Sequence, residues 1–225
     1  MTGKQTPIGF LDFKDTLKDE KRFYLEGWER IQKYYQIEDE ELRYKETELK
    51  KAPHDHIKDT AKSFIGLAIS ESQDLKKMTD ASDVLLGVGV ELFLKSMLLK
   101  EDPERFINGV KIRDDYVYTP SLKQCTGIVM DLLGNELDKD QLERLEDILT
   151  LINTRRNELI HLHFHQVGHY AIPYQILNIL EFLFGKYFRE EEEFVERLSE
   201  LKEKHRVVGS GMDFRPVEFP KLEEG

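Results

Sequence analysis

The sequence predicts an all-α protein: an antiparallel helical bundle with a helical extension before it and an extended arm after it. Three observations carry that expectation. Glycine and proline are scarce, 14 and 7 in 225 residues, and they cluster at boundaries, as in a mostly helical chain. The stretch "TDASDVLLGVGVELFLKSMLLK" is apolar on nearly every face, which marks a central, buried helix. Helix-capping signals recur where helices should begin, at Asp102-Pro103 and at Asp138 with Gln141 three residues on.

Taken in order, residues 11–51 are helical in composition, and Pro53 interrupts them. The aromatics of "FYLEGWERIQKYY" in this segment read as packing rather than base stacking. A second helix is expected from about Asp55 to Lys77, and the buried helix of residues 79–100 follows. Asp102 before Pro103 reads as an N-cap with a first-turn proline, opening a short helix that Gly109 ends. "VKIRDDYVY" carries a weak signal for an extended excursion or hairpin. Thr119-Pro120 starts another helix, closed by Gly134. Asp138 and Gln141 form a capping box for the helix running to about Phe164. Pro173 starts a last long helix ending near His205, and "REEEE" within it reads as a solvated face. The tail "VVGSGMDFRPVEFPKLEEG" has too many Gly and Pro residues for a helix. The simplest division is a helical extension (1–78) packing on the core, a helical bundle (79–206) and an extended arm (207–225).

The whole chain sets bounds on function. A net charge of −11 excludes a surface that grips nucleic acid by bulk electrostatics. Any such contact has to be local, in a basic cleft on an acidic body. One cysteine, Cys125, excludes an intrachain disulfide framework and fits a reducing cytosol. No apolar run approaches the roughly 20 residues that cross a bilayer. "MTGKQTPIGF" lacks the apolar stretch of a signal peptide, so the expected location is cytoplasmic, with no membrane partner.

The chemistry concentrates in "TRRNELIHLHFH", residues 154–165. Placed on a wheel of about 100° per residue with Ile152 at zero, Leu145, Ile148, Leu149 and Leu159 form a buried stripe. Arg156 lies about 40° from the centre of that stripe and Arg155 about 60° away on the other side. A cation there is costly unless it snorkels or pairs with a carboxylate. Glu91 is the candidate partner, inside the buried helix, with Lys95 one turn on. Gly87, one turn back, lets a neighbour approach closely on that face. His161 lies about 140° around the helix from Arg156 and about 7.5 Å along it, so the two side chains diverge on an ideal helix. A second copy across a two-fold axis brings such groups face to face, which points to a homodimer.

An Arg followed by a His after four to six residues occurs about once by chance at this composition. Context carries the weight: "RNELIH" ends a capped helix, and "GVELFLKSMLLK" lies one helical layer earlier. Together these resemble the HEPN superfamily (higher eukaryotes and prokaryotes nucleotide-binding), over roughly residues 80 to 190. Arg156, Asn157 and His161 match its motif. The resemblance implies a dimeric helical bundle and a metal-independent endoribonuclease without cofactor. In that reading His161 moves protons, Arg156 stabilises the phosphorane, and Asn157 orients the imidazole or binds a phosphate oxygen. Glu91 and Arg155 play supporting parts. It further implies an RNA substrate, a toxin or phage-defence role, and in toxin–antitoxin systems a protein antitoxin as partner. This chain has His163 where toxin members controlled by a nucleotidyltransferase antitoxin often carry the tyrosine that is AMPylated.

Two other readings stand beside it. A catalytically silent helical dimer would use the same arginine and histidine at an interface or to hold a partner. In an extended segment His161, His163 and His165 share one face, and His169 could complete a metal site. No carboxylate or cysteine stands nearby at familiar zinc spacing.

Overall fold

The structure, a computed structural model, describes residues 13–71, 80–160, 172–204 and 218–220. Within them lie nine α-helices and one two-stranded hairpin, so the protein is an all-α bundle. No helix among the described residues is long and apolar enough to cross a membrane.

The first helical stretch is two helices, α1 (Phe13–Gln36) and α2 (Glu40–Thr47), and not one continuous run. Asp39 breaks it by accepting the Leu42 N–H at 2.9 Å, an N-cap that acidic Glu40 and Glu41 reinforce at the positive helix end. Trp28 and Tyr34 of the aromatic segment are buried, as packing demands, whereas Phe23 and Tyr24 are exposed. α3 (Pro53–Glu71) opens at Pro53 itself, where the missing N–H would have no partner in any case. It runs antiparallel to α4 (Asp80–Glu101): Ser96 donates to the His54 carbonyl at 2.7 Å, and further along Gly89 meets Ile65. A Cβ on Gly89 would stand 2.7 Å from Ile65 Cγ1, so only glycine permits this approach.

α4 is the central helix that its composition predicts. Phe93, Leu94, Met97 and Leu98 are fully buried, and the Phe93 ring stacks on Phe184 with centroids 4.0 Å apart. Asp102 then caps α5 (Pro103–Asn108) and Gly109 closes it, both as read from the sequence. The "VKIRDDYVY" stretch is a hairpin of β1 (Lys111–Arg113) and β2 (Tyr116–Tyr118). Asp114 and Asp115 form its two-residue turn with φ of 51° and 63°, the pattern of a type I′ turn. α6 (Leu122–Leu133) starts later than Thr119-Pro120. Its N-cap is Ser121, which makes a reciprocal capping box with Gln124. α7 (Lys139–Ile160) has the expected Asp138–Gln141 box at its start and buries Leu145, Leu149 and Ile152.

The long final helix is interrupted. α8 (Ile172–Tyr187) ends at Phe188, whose φ of −136° and ψ of 62° leave the helical region. A short 3-10 turn (Arg189–Glu191) follows, then α9 (Glu192–Lys204), which folds back antiparallel on α8. The break seats the fully buried Phe188 ring against Phe93. It also turns Glu191 inward, while the rest of "REEEE" is exposed as the sequence suggests, with Glu190 reaching back to α3. Lys58 of α3, its side chain 4% exposed, lies 3.0 Å from Asp55, 3.0 Å from Glu190 and 2.9 Å from Glu191. Lys62 pairs with Glu191 as well. Burial by itself raises a carboxyl pKa and lowers an ammonium pKa, but the hydrogen bonds and charges of the cluster outweigh it. Asp55, Glu190 and Glu191 therefore titrate below their ordinary range, and Lys58 above its own. Of the C-terminal arm, residues 218–220 are described: Phe219 stacks on Phe182 at 4.7 Å, and the Glu218 carbonyl accepts from Gln141 Nε2 at 2.7 Å.

Candidate functional site

The site grows from one line of residues on α4. Asp83, Gly87, Glu91 and Lys95 follow one another at four-residue steps, which sets them on a single ridge of the helix. α7 crosses that ridge at Gly87. A Cβ there would lie 2.9 Å from Arg156 Cβ and 3.2 Å from its Cγ, so the glycine is the slot that admits the arginine stem. On either side of the slot, a carboxylate takes an arginine. Arg155 NH1 lies 3.3 Å from Asp83 Oδ2, and Arg156 NH1 donates to Glu91 Oε2.

Glu91 has a second cation. Lys95 Nζ donates to Glu91 Oε1 at 2.6 Å and to Thr119 Oγ1 at 2.8 Å. The carboxylate and the ammonium side chain are each 13% exposed, and that of Arg156 is 23% exposed. Among the described residues, Arg156 Nε is buried without a hydrogen-bond partner. A buried donor left over costs about 1–3 kcal/mol, a cost that an acceptor brought by a ligand or water removes.

These groups form one wall of a cleft of about 570 Å³, within the usual size range of small-molecule sites. α4 lends Glu91 and Lys95; α7 lends Asn153, Arg156 and Asn157; residues between Val117 and Lys123 form the third wall. Asn157 is exposed, and its Nδ2 donates to Asn153 Oδ1 at 3.4 Å. Among the described lining residues, Lys95, Lys123 and Arg156 face a single carboxylate, Glu91, a cationic balance on a chain of net charge −11. The arrangement is suited to an anion with several acceptor oxygens, because guanidinium, ammonium and amide donors converge. Cys125 is buried, and burial pushes its thiol up to about 12, which removes it as a nucleophile at neutral pH.

The sequence-predicted residues divide accordingly. Arg156, Asn157 and Glu91 come together in the cleft, with Arg156 on Glu91 as the helical wheel anticipates. Arg155 pairs with Asp83 and is not part of the cleft lining. His161, His163, His165 and His169 lie outside the described residues. Sequence reasoning missed Lys123 and Tyr118 as cleft residues. Their signal was "YVYTPSLK", aromatic and basic side chains around a capping serine. The chain matches no family model, no curated protein and no solved structure.

Proposed function

We propose that the protein is a HEPN-type, metal-independent endoribonuclease acting as a homodimer, with Arg156, Asn157 and His161 as its catalytic residues. The observation that carries this reading is Arg156 fixed by Glu91 at the edge of a cationic cleft, with Asn157 beside it. In the reaction the ribose 2′-oxygen attacks the neighbouring phosphorus, and the 5′-oxygen leaves. The products are a 2′,3′-cyclic phosphate and a 5′-hydroxyl. His161 takes the 2′-hydroxyl proton or gives one to the leaving oxygen, work suited to an imidazole near neutral pH. Arg156 bears on the extra negative charge of the phosphorane; its planar donor fork matches phosphate oxygens. The nucleophile belongs to the substrate, so this chemistry needs no metal. A second protomer supplies the second Arg–His set.

One observation favours another class of function. Arg156 is already neutralised by a carboxylate of its own chain, as a purely structural arginine would be. A catalytically silent dimer that binds a partner through the same cleft has that feature too. Cleavage separates the two. Purified protein is expected to cut single-stranded RNA in EDTA. Arg156→Ala should slow cutting about 10²–10³-fold and His161→Ala about 10²–10⁴-fold, both with unchanged circular dichroism. Intact RNA after incubation with wild type would leave the silent dimer as the function. An Arg156→Lys variant as active as wild type would instead remove the donor fork from the mechanism, since Lys lacks it.

A further inference from the structure

We propose that the β1–β2 hairpin is a base-stacking platform for single-stranded RNA, with Tyr118 taking the base of a nucleotide whose phosphate enters the adjoining cleft. The inference deepens the ribonuclease reading and rests on its choice of RNA as substrate.

The hairpin register supplies the first argument. Lys111 pairs with Tyr118 and Arg113 with Tyr116, and directly opposed residues share one face of a two-stranded sheet. One face thus interleaves two cations with two aromatic rings, and all four side chains are exposed. Ile112 and Val117 occupy the other face. Alternating cationic and aromatic groups is how single-stranded nucleic acid is held without duplex geometry: cations follow the phosphates and rings take the bases.

Position supplies the second. Tyr118 lines the cleft, and the next residue, Thr119, is hydrogen-bonded to Lys95 at 2.8 Å. Tyr118 therefore borders a cavity that Lys95, Lys123 and Arg156 also line. The two tyrosines differ in what they can offer. Tyr116 carries the Lys21 ammonium over its ring at 4.4 Å, and Lys21 also donates to the Asp114 carbonyl, so that ring is tied to α1. Tyr118 meets Tyr116 edge-on, with centroids 6.4 Å apart, and remains 54% exposed.

Charge supplies the third. On a chain of net charge −11, Lys111 and Arg113 stand on the hairpin face beside the tyrosines, and Lys95, Lys123 and Arg156 line the cleft that Tyr118 borders. Glu91 in the cleft is bound to two cations, Lys95 and Arg156, and Asp114 and Asp115 lie at the hairpin turn.

The test is fluorescence anisotropy of the full chain with a labelled 2′-O-methyl oligoribonucleotide, which has no free 2′-hydroxyl and cannot be cut. An abasic oligomer of equal length gives the backbone contribution. Tyr118→Phe should bind like wild type. Tyr118→Val, which keeps strand propensity but cannot stack, should weaken binding about ten-fold. Ile112→Ala, on the other face, should change nothing. The abasic oligomer should bind wild type and Tyr118→Val equally weakly. Equal affinity of Tyr118→Val and wild type for the based oligomer overturns the inference, as does tight binding of the abasic one. If wild type cuts ordinary RNA and Tyr118→Val binds unchanged, the platform fails and the nuclease stands. If Tyr118 governs binding but no RNA is cut, the platform stands and the nuclease fails.

Discussion

The cluster around Lys58 and the cluster around Glu91 use the same kinds of group in inverse proportion. At Lys58, two lysines meet three carboxylates, and the central ammonium is nearly sealed from solvent, with the Phe188 ring 5.1 Å away. It ties α3 to the α8–α9 junction, and every strong donor of Lys58 has an acceptor. At Glu91, two cations share one carboxylate, one guanidinium nitrogen is buried without a partner among the described residues, and the group borders a cleft. The first cluster closes on itself. Among the described residues the second has more donor capacity than they accept, and that surplus distinguishes a site from a staple.

The contrast can be broken most forcefully at Lys58. Lys58→Ala leaves clustered carboxylates without their central cation and should cost about 3 kcal/mol in urea unfolding. This is the low end for a buried pair, because the Glu190 side chain is 52% exposed and can hydrate. The effect has a pH signature. The three carboxyls have depressed folded pKa values, so their stabilising contribution is full above about pH 4 and is lost as pH falls through the folded values. The raised Lys58 value runs the other way: its contribution is full below an ordinary lysine pKa near about 10 and fades only above it. The gap between wild type and Lys58→Ala should therefore narrow below about pH 4 and stay flat near neutrality. A gap that is constant down to acid would detach the carboxylates from the effect. Affinity for the 2′-O-methyl oligomer should not move.

A smaller change is expected at the other cluster. Gly87→Ala gains about 1 kcal/mol of helix propensity but places a methyl against Arg156 Cβ, the unyielding end of that side chain. Overpacking of this kind costs about 1–3 kcal/mol, so the net loss should be about 1 kcal/mol, with cleavage impaired as Arg156 shifts. Cleavage equal to wild type would show that the slot does not position the arginine. Glu91→Gln should cost a similar amount, about 1 kcal/mol. It sharpens the comparison by splitting two readouts: oligomer binding should tighten several-fold as negative charge leaves the cleft, while cleavage falls because Arg156 loses its anchor. Binding and cleavage falling together would make Glu91 a fold residue alone.

Much of this was legible wherever local chemistry decides. Asp102-Pro103-to-Gly109 and Asp138 with Gln141 mark helix ends because capping needs only neighbours in sequence. The Arg156–Glu91 pair followed from two facts visible in the chain: a cation on an apolar stripe, and a carboxylate inside a buried helix with Gly87 one turn back. What was illegible depended on distant partners. Nothing local stops a helix at Phe188, since residues 186–193 hold neither Gly nor Pro and the charged run after it is rich in good helix formers; the buried seat against Phe93 and the pull of Lys58 on Glu190 and Glu191 do so. The hairpin turn was faint because Asp114-Asp115 lacks the glycine that usually announces two positive φ angles. Ser121 with Gln124 was readable and passed over for the neighbouring proline.

α4 serves as spine and as ruler at once. Its buried faces fix the helix in place through Phe93, Leu94 and Met97, while the four-residue stride from Asp83 to Lys95 spaces everything that meets α7. Adding or deleting one residue between Gly87 and Lys95 would rotate the remainder by about 100° and swap ridge for core. Length is thus frozen in this helix, whereas the hairpin beside it could lengthen at Asp114-Asp115 without disturbing the spine. Any retuning of what enters the cleft would have to be written in the hairpin.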